Sequence, residues 1–234
     1  MSEHGTTPRQ LALVAVKNHS NGALNPRAHH RGALTVEEVL ASRMIADPLT
    51  LYQCCARTDG AAALVLSGVP GDKGPKVRSC VLLSGAVGTS SGSKSWGVDL
   101  VSQTAGTVWE QSSVAPSDVD VFEVHDAFTI GELVSYEALG LCDEGESGPM
   151  VERNETGLGG AHPVNSSGGL LARGHPVAAT GAAMLAEIAL QLTDSAGPHQ
   201  VPSPRLGVAE TMGGGTSGIS GNACVITLLE RGTR

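Results

Sequence analysis

The chain has 234 residues, of which 41% are hydrophobic and 16% charged; this is the composition of a globular chain able to bury one large core or two small ones, and it excludes an intrinsically disordered one. A formal net charge of −8 argues against broad nucleic-acid binding, which needs a basic surface. No apolar run approaches the roughly 20 residues needed to span a bilayer, and no basic-then-apolar leader opens the sequence, so the expected location is the cytoplasm.

Aromatic residues are only 3%, so the core must be built from Ala, Val, Leu and Ile, and 31 glycines imply many tight turns. In chain order, residues 8–17 have helical spacing with Pro8 at the first turn. Residues 18–34, rich in Asn, His and Arg, read as an ordered loop. Thr35-Val-Glu-Glu predicts a capping box and a helix to about Met44. The apolar run 61–67 predicts a buried strand, and the turn-rich 68–76 a boundary. Strands are then expected at 77–85, 119–128, within 161–169, at 205–215 and at 222–230. Helices are expected at 99–113, at 130–140 with Gly140 as C-cap, and at 177–192. This order, βαβαβαββ, predicts an α/β layer: helices packed on a mixed sheet.

Ligands of open α/β sheets sit beyond the carboxyl ends of strands, and two histidines fall there. His125 follows the strand VFEV, and His175 lies in a turn before a long helix, whose dipole disfavours the imidazolium and keeps the ring neutral. Gly213, Gly214 and Gly215 end a third strand and could offer backbone N–H groups to an oxyanion. GTSSGSKS (88–95) follows a strand but has Ser93 where a P-loop needs its second glycine. His4, His19, His29 and His30 match no metal-site spacing and read as solvated loop. Cys54, Cys55, Cys80, Cys142 and Cys224 show no CxxC pattern and read as reduced thiols. No metal site is expected. Asp47, Asp59 and Glu123 read as structural carboxylates that pair or cap.

The stretches VFEVHDAFTIGELVSYEALGLC (121–142) and PVNSSGGLLARGHPVAATG (163–181) closely resemble the thiolases. Within that superfamily they are most similar to the sterol-carrier-protein-type thiolases and thiolase-like lipid-transfer proteins. Residues 6–26, 36–49 and 54–66 add to the resemblance. It implies a thiolase-like C-terminal half preceded by a partial loop segment: 1–58 a remnant of the substrate-binding loop region, 59–75 the last strand of the N-terminal half plus a linker, and 76–234 the C-terminal domain. It implies an acyl-CoA substrate, with coenzyme A as substrate and no cofactor. His175 takes the role of the GHP histidine that activates a thiol and polarises the thioester oxygen, and His125 helps hold an oxyanion. Gly213–Gly215 form a second oxyanion site, and Phe128 and Cys55 line the substrate channel.

Two departures qualify this reading. The family's nucleophilic Cys belongs to the N-terminal half, and its acid/base Cys positions hold Ala127 and Thr211 here, or a position near Gly218 for the second if the final strand is matched instead, with no Cys at any of them. The leading expectation is a thiolase-like acyltransferase subunit or fragment, forming or thiolytically cleaving carbon–carbon bonds in lipid or sterol side-chain metabolism. It would work with a polypeptide carrying the N-terminal half, as a homo-oligomer and with a small OB-fold-type partner. The alternatives are a retro-aldolase cleaving a β-hydroxyacyl-CoA, and a non-catalytic assembly subunit.

Overall fold

The computed structural model describes residues 1–69, 73–85, 97–213 and 223–232. The stretch 88–95 and two of the three expected oxyanion glycines, Gly214 and Gly215, lie outside the described residues.

The chain opens with α1 (Pro8–Leu24), α2 (Val36–Ala41) and the short hairpin β1 (Met44–Ala46)–β2 (Leu49–Thr50). Both helices begin with a capping box. In α1 the Thr7 hydroxyl accepts from Gln10 N while Gln10 Oε1 accepts from Thr7 N; Thr35 and Glu38 do the same in α2. Then follow β3 (Lys76–Leu83), α3 (Val98–Ser112), β4 (Val121–Glu123), α4 (Thr129–Leu139), α5 (Ser147–Glu152), α6 (Gly169–Ala172), α7 (Thr180–Leu192), β5 (Leu206–Gly213) and β6 (Ala223–Glu230). Gly140 closes α4 at φ 79°, the left-handed cap that only glycine adopts without strain.

The second half is the expected mixed sheet with helices on it. Strand order is β3-β6-β5-β4, with β4 and β5 parallel and the other pairs antiparallel. Alternate residues divide its two faces. Phe122, Val208, Ile226 and Leu228 join the core containing Val101, Ala105 and Val108 of α3. Val121, Ala209 and Leu229 pack with Met184, Ile188 and Leu192 of α7.

Three expectations change. The expected strand at 119–128 is only three residues long, because side chains take over the ladder beyond it: Val124 N donates to Asn165 Oδ1 at 2.9 Å and His125 N to Glu210 Oε2 at 2.9 Å. The strand expected within 161–169 is reduced to one bridge, Phe122↔Val164. The run 61–67 forms no strand and is not buried; Val65 is 97% and Leu66 83% exposed. An apolar run becomes a strand only where a neighbour completes its hydrogen bonds, and none of the described residues does so here.

α1 runs to Leu24, well past its expected end at residue 17, and so absorbs residues that read as a polar loop. Their polarity serves the interior. Lys17 Nζ lies 2.5 Å from Glu132 Oε1 and donates to Val164 O at 2.7 Å. Asn18 Nδ2 donates to Asp126 Oδ2 at 2.8 Å and to Glu132 Oε2 at 2.5 Å. Asn21 donates to Asn165 O at 3.0 Å, and Asn165 Nδ2 to Glu132 Oε2 at 2.9 Å. Two fully buried carboxylates, Asp126 and Glu132, are thus met by one ammonium and two side-chain amides, those of Asn18 and Asn165. His19, expected in solvent, is buried on the same helix against the rings of His30 and Tyr52. Among the described residues no helix is long and apolar enough to cross a membrane, and no group of three or more His, Cys, Asp or Glu is placed to hold a metal.

Removing one partner of a buried ion pair leaves an uncompensated charge, which costs about 3–5 kcal/mol. Lys17→Met is therefore expected to lower unfolding free energy by about that amount in urea titrations at neutral pH; a loss under about 1 kcal/mol would show that the pair contributes little.

Candidate active site

Two loops converge at the carboxyl end of β4. The first, His125–Phe128, links β4 to α4; the second, Arg173–Ala179, links α6 to α7. They bring the His125 and His175 rings to a centroid distance of 5.1 Å, edge to face at 86°.

Neither loop has a ladder of its own, and three sets of contacts hold them. Segment 54–58 runs between them. Cys55 N donates to Ala127 O at 2.9 Å and Cys54 bridges Phe128 on one side. On the other, His175 N donates to Ala56 O at 3.1 Å and Thr58 N to His175 O at 3.4 Å. Asp126, directly after His125, accepts from Leu170 N at 2.6 Å and Leu171 N at 3.2 Å, so it holds the start of the short helix that leads to His175. Glu123 accepts from Ser167 N and Oγ at 3.0 and 2.6 Å and pairs with Arg173 Nη1 at 3.4 Å; it is structural, as expected. Gly174 sits at φ 106° with Thr58 pressed against it: a Cβ there would lie 2.8 Å from Thr58 Oγ1.

Burial lowers the His125 pKa to about 4, helped by the neighbouring His175 and by Arg173. Burial and Arg173 also lower that of His175. The expected neutrality has a different cause: α7 starts five residues after His175, and burial and Arg173 lower the pKa instead. His125 Nδ1 has no hydrogen-bond partner among the described residues. His175 Nδ1 lies 2.8 Å from Thr180 Oγ1.

The other expected residues fall around this pair. Phe128 is 39% exposed at the start of α4. Cys55 is partly buried beside Ala127, and burial, with Asp126 and Cys54, pushes its thiol up to about 11; Cys54 is also raised by burial. Neither is a thiolate at neutral pH. Thr211 lies near the start of α7, its methyl 3.4 Å from where a Cβ on Gly181 would sit. Gly213 ends β5 opposite Ala223. A cleft of about 280 Å³ lies beside Gly174 and Pro176, lined also by Arg27, Thr58, Asp59 and Arg173, but neither histidine lines it.

Asp126 is expected at the site as part of the His125-Asp126-Ala127-Phe128 motif, whereas Thr180 and Glu210 are not. Thr180 lies inside the stretch 163–181. Glu210 carried its own signal, a lone carboxylate in the apolar run VAETM. It is fully buried, accepts from His125 N and, at 3.4 Å, from Ser135 Oγ, and its Oε1 has no partner among the described residues.

Burial raises the Glu210 pKa from 4.5 to about 7. Between these values the folded state holds a proton that the unfolded state has released, so this group's contribution is complete below the lower value and is lost as pH rises through the upper one. Glu210→Gln lacks that loss. Its unfolding free energy, relative to the unsubstituted chain, is expected to rise by about 3 kcal/mol between about pH 4.5 and about pH 8. Urea titrations at the two pH values check this; an unchanged difference would place a normal carboxylate at 210.

Residues 88–226 match the family model described as thiolase C-terminal domain-like. Among curated relatives, sterol carrier protein 2 of Oryctolagus cuniculus is 37% identical over 99% of this chain and 43% of its own length. The acetyl-CoA acetyltransferase of Methanothermobacter thermautotrophicus is 39% identical over 92% of this chain and 57% of its own. The chain thus spans about half the length of the curated relatives it matches. A solved structure described as "Ltp2-ChsH2(DUF35) aldolase" superposes with a TM-score of 0.79 at 21% identity, covering 100% of this chain and 61% of that one. With its mixed sheet, its two histidine loops and a family match over more than half its length, the chain belongs to the thiolase C-terminal domain-like family.

Proposed function

We propose that this chain supplies the histidine half of a thiolase-like site that breaks or forms a carbon–carbon bond beside the carbonyl of an acyl-CoA thioester. The observation that carries this reading is the neutral His125–His175 pair, two imidazoles in ring contact. Such chemistry needs a base and donors for a developing oxyanion in a site that excludes water.

The side chains favour retro-aldol cleavage of a β-hydroxyacyl-CoA. Ala127 and Thr211 stand where the family has its acid/base cysteine, and the thiols beside the loops, Cys54 and Cys55, are held protonated. Retro-aldol chemistry needs no thiolate. His175 takes the proton of the β-hydroxyl, the O–H electron pair forms the new carbonyl, and the bond between the α and β carbons breaks. Its electron pair passes into the thioester enolate. His125, with Gly213, donates to that oxygen, and the His175 imidazolium returns its proton to the α carbon, giving the shortened acyl-CoA. Phe128 and Cys55 flank the channel for the acyl-CoA.

A second reading, acyl transfer to or from coenzyme A, is favoured by the likeness to an acetyl-CoA acetyltransferase. It requires a cysteine nucleophile from sequence beyond these 234 residues, in the same or another polypeptide. Either reading carries assembly with a second copy and with a small OB-fold-type partner.

The test is an assay of the assembled protein with a β-hydroxyacyl-CoA alone, and with a β-ketoacyl-CoA plus free CoA. Turnover of the first without added CoA is expected, and His175→Ala should lower kcat/KM by roughly 10²–10⁴-fold. Turnover of only the second pair would establish the transferase reading instead; full activity of His175→Ala would remove the histidine from both.

A further inference from the structure

Thr180 opens α7 and is buried, with 1% of its surface exposed. Its Oγ1 stands between two groups, 3.1 Å from Pro176 O and 2.8 Å from His175 Nδ1. The hydroxyl donates to Pro176 O, which also accepts from Ala179 N at 2.7 Å and Thr180 N at 3.0 Å, and with its one proton used there it turns its lone pairs towards the imidazole. Nδ1 must then donate. A neutral imidazole has one N–H, so Nε2 keeps its lone pair.

We propose that Thr180 is a positioning residue: its hydroxyl, oriented by the Pro176 carbonyl, holds His175 as the Nδ1–H tautomer and leaves Nε2 as the basic nitrogen. This rests on the reading of His175 as the base. The reverse arrangement, with the hydroxyl donating to Nδ1, leaves Nε2 protonated and unable to take the substrate proton, so the direction of one hydrogen bond decides whether the ring can act. The contact also explains how a half-buried ring on a loop keeps one orientation: Thr180 fixes one ring edge and His125 packs against the ring.

The tautomer is read directly by long-range ¹H–¹⁵N correlation on the ¹⁵N-labelled chain near neutral pH, with His175 assigned by the signal lost in His175→Gln. The expected pattern is a protonated Nδ1 and a lone-pair Nε2. Thr180→Val should shift the ring towards the Nε2–H form, and Thr180→Ser should keep the original pattern. In the assembled protein Thr180→Val should lower kcat by roughly tenfold or more with little change in KM, and should shift the acidic limb of the pH profile down, because the imidazolium loses an acceptor. Thr180→Ser should restore both. An Nε2–H tautomer in the unsubstituted chain, or a Thr180→Val ring with an unchanged tautomer, overturns the proposal. If Thr180→Val does not fold, the unsubstituted spectrum and Thr180→Ser still decide it. A correct tautomer in a protein without carbon–carbon bond activity would sink the functional reading and leave the role of Thr180 standing.

Discussion

The backbone of residues 54–58 is hydrogen-bonded on one side to the loop bearing His125 and on the other to the loop bearing His175. Neither loop belongs to a helix or strand, and their histidines are 50 residues apart in sequence, so the ring contact depends on this shared segment. Asp126 adds a second tie by holding the backbone that begins α6, and Glu123 a third through Ser167 and Arg173. Catalytic groups act through geometry held to a fraction of an ångström by their supporting shell, and here that shell consists of backbone pairs and buried carboxylates.

Those carboxylates explain why the interior is so polar. A buried ionised group is tolerated only when paired and hydrogen-bonded. α1 supplies the partners: Lys17 and Asn18 meet Glu132 and Asp126 beneath the His125 loop. The first helix is thus the floor of the site built from the second half of the chain. The same burial governs the chemistry above it, since low solvation keeps both imidazoles neutral and both nearby thiols protonated. With both imidazoles neutral and the Cys54 and Cys55 thiols protonated, the described residues around the pair offer the base and the hydrogen-bond donor that the proposed retro-aldol reading needs.

Much of this was legible in the residues. The Thr35 capping box, the Gly140 cap, the strands at the chain's end and the placing of two histidines beyond strand ends follow from local chemistry and period. The remainder was set by distant partners. The end of α1 was hidden because Lys17, Asn18 and Asn21 resemble loop residues until their partners more than 100 positions away are known. β4 was overestimated because the side chains of Asn165 and Glu210 replace its ladder. The run 61–67 has strand composition but pairs with no strand among the described residues. The neutrality of His175 was anticipated from a helix dipole and arises from burial and Arg173; a sequence states which helix follows, not how far the ring stands from it or what covers it.

The central claim is that His125 and His175 form one neutral, electrostatically linked pair, and an NMR pH titration of both rings tests it most directly. The account predicts that His125 titrates near pH 4 and that His175→Ala moves this midpoint upward by removing the neighbouring cation. A His125 midpoint near the ordinary value of 6.5, unchanged by His175→Ala, would contradict it.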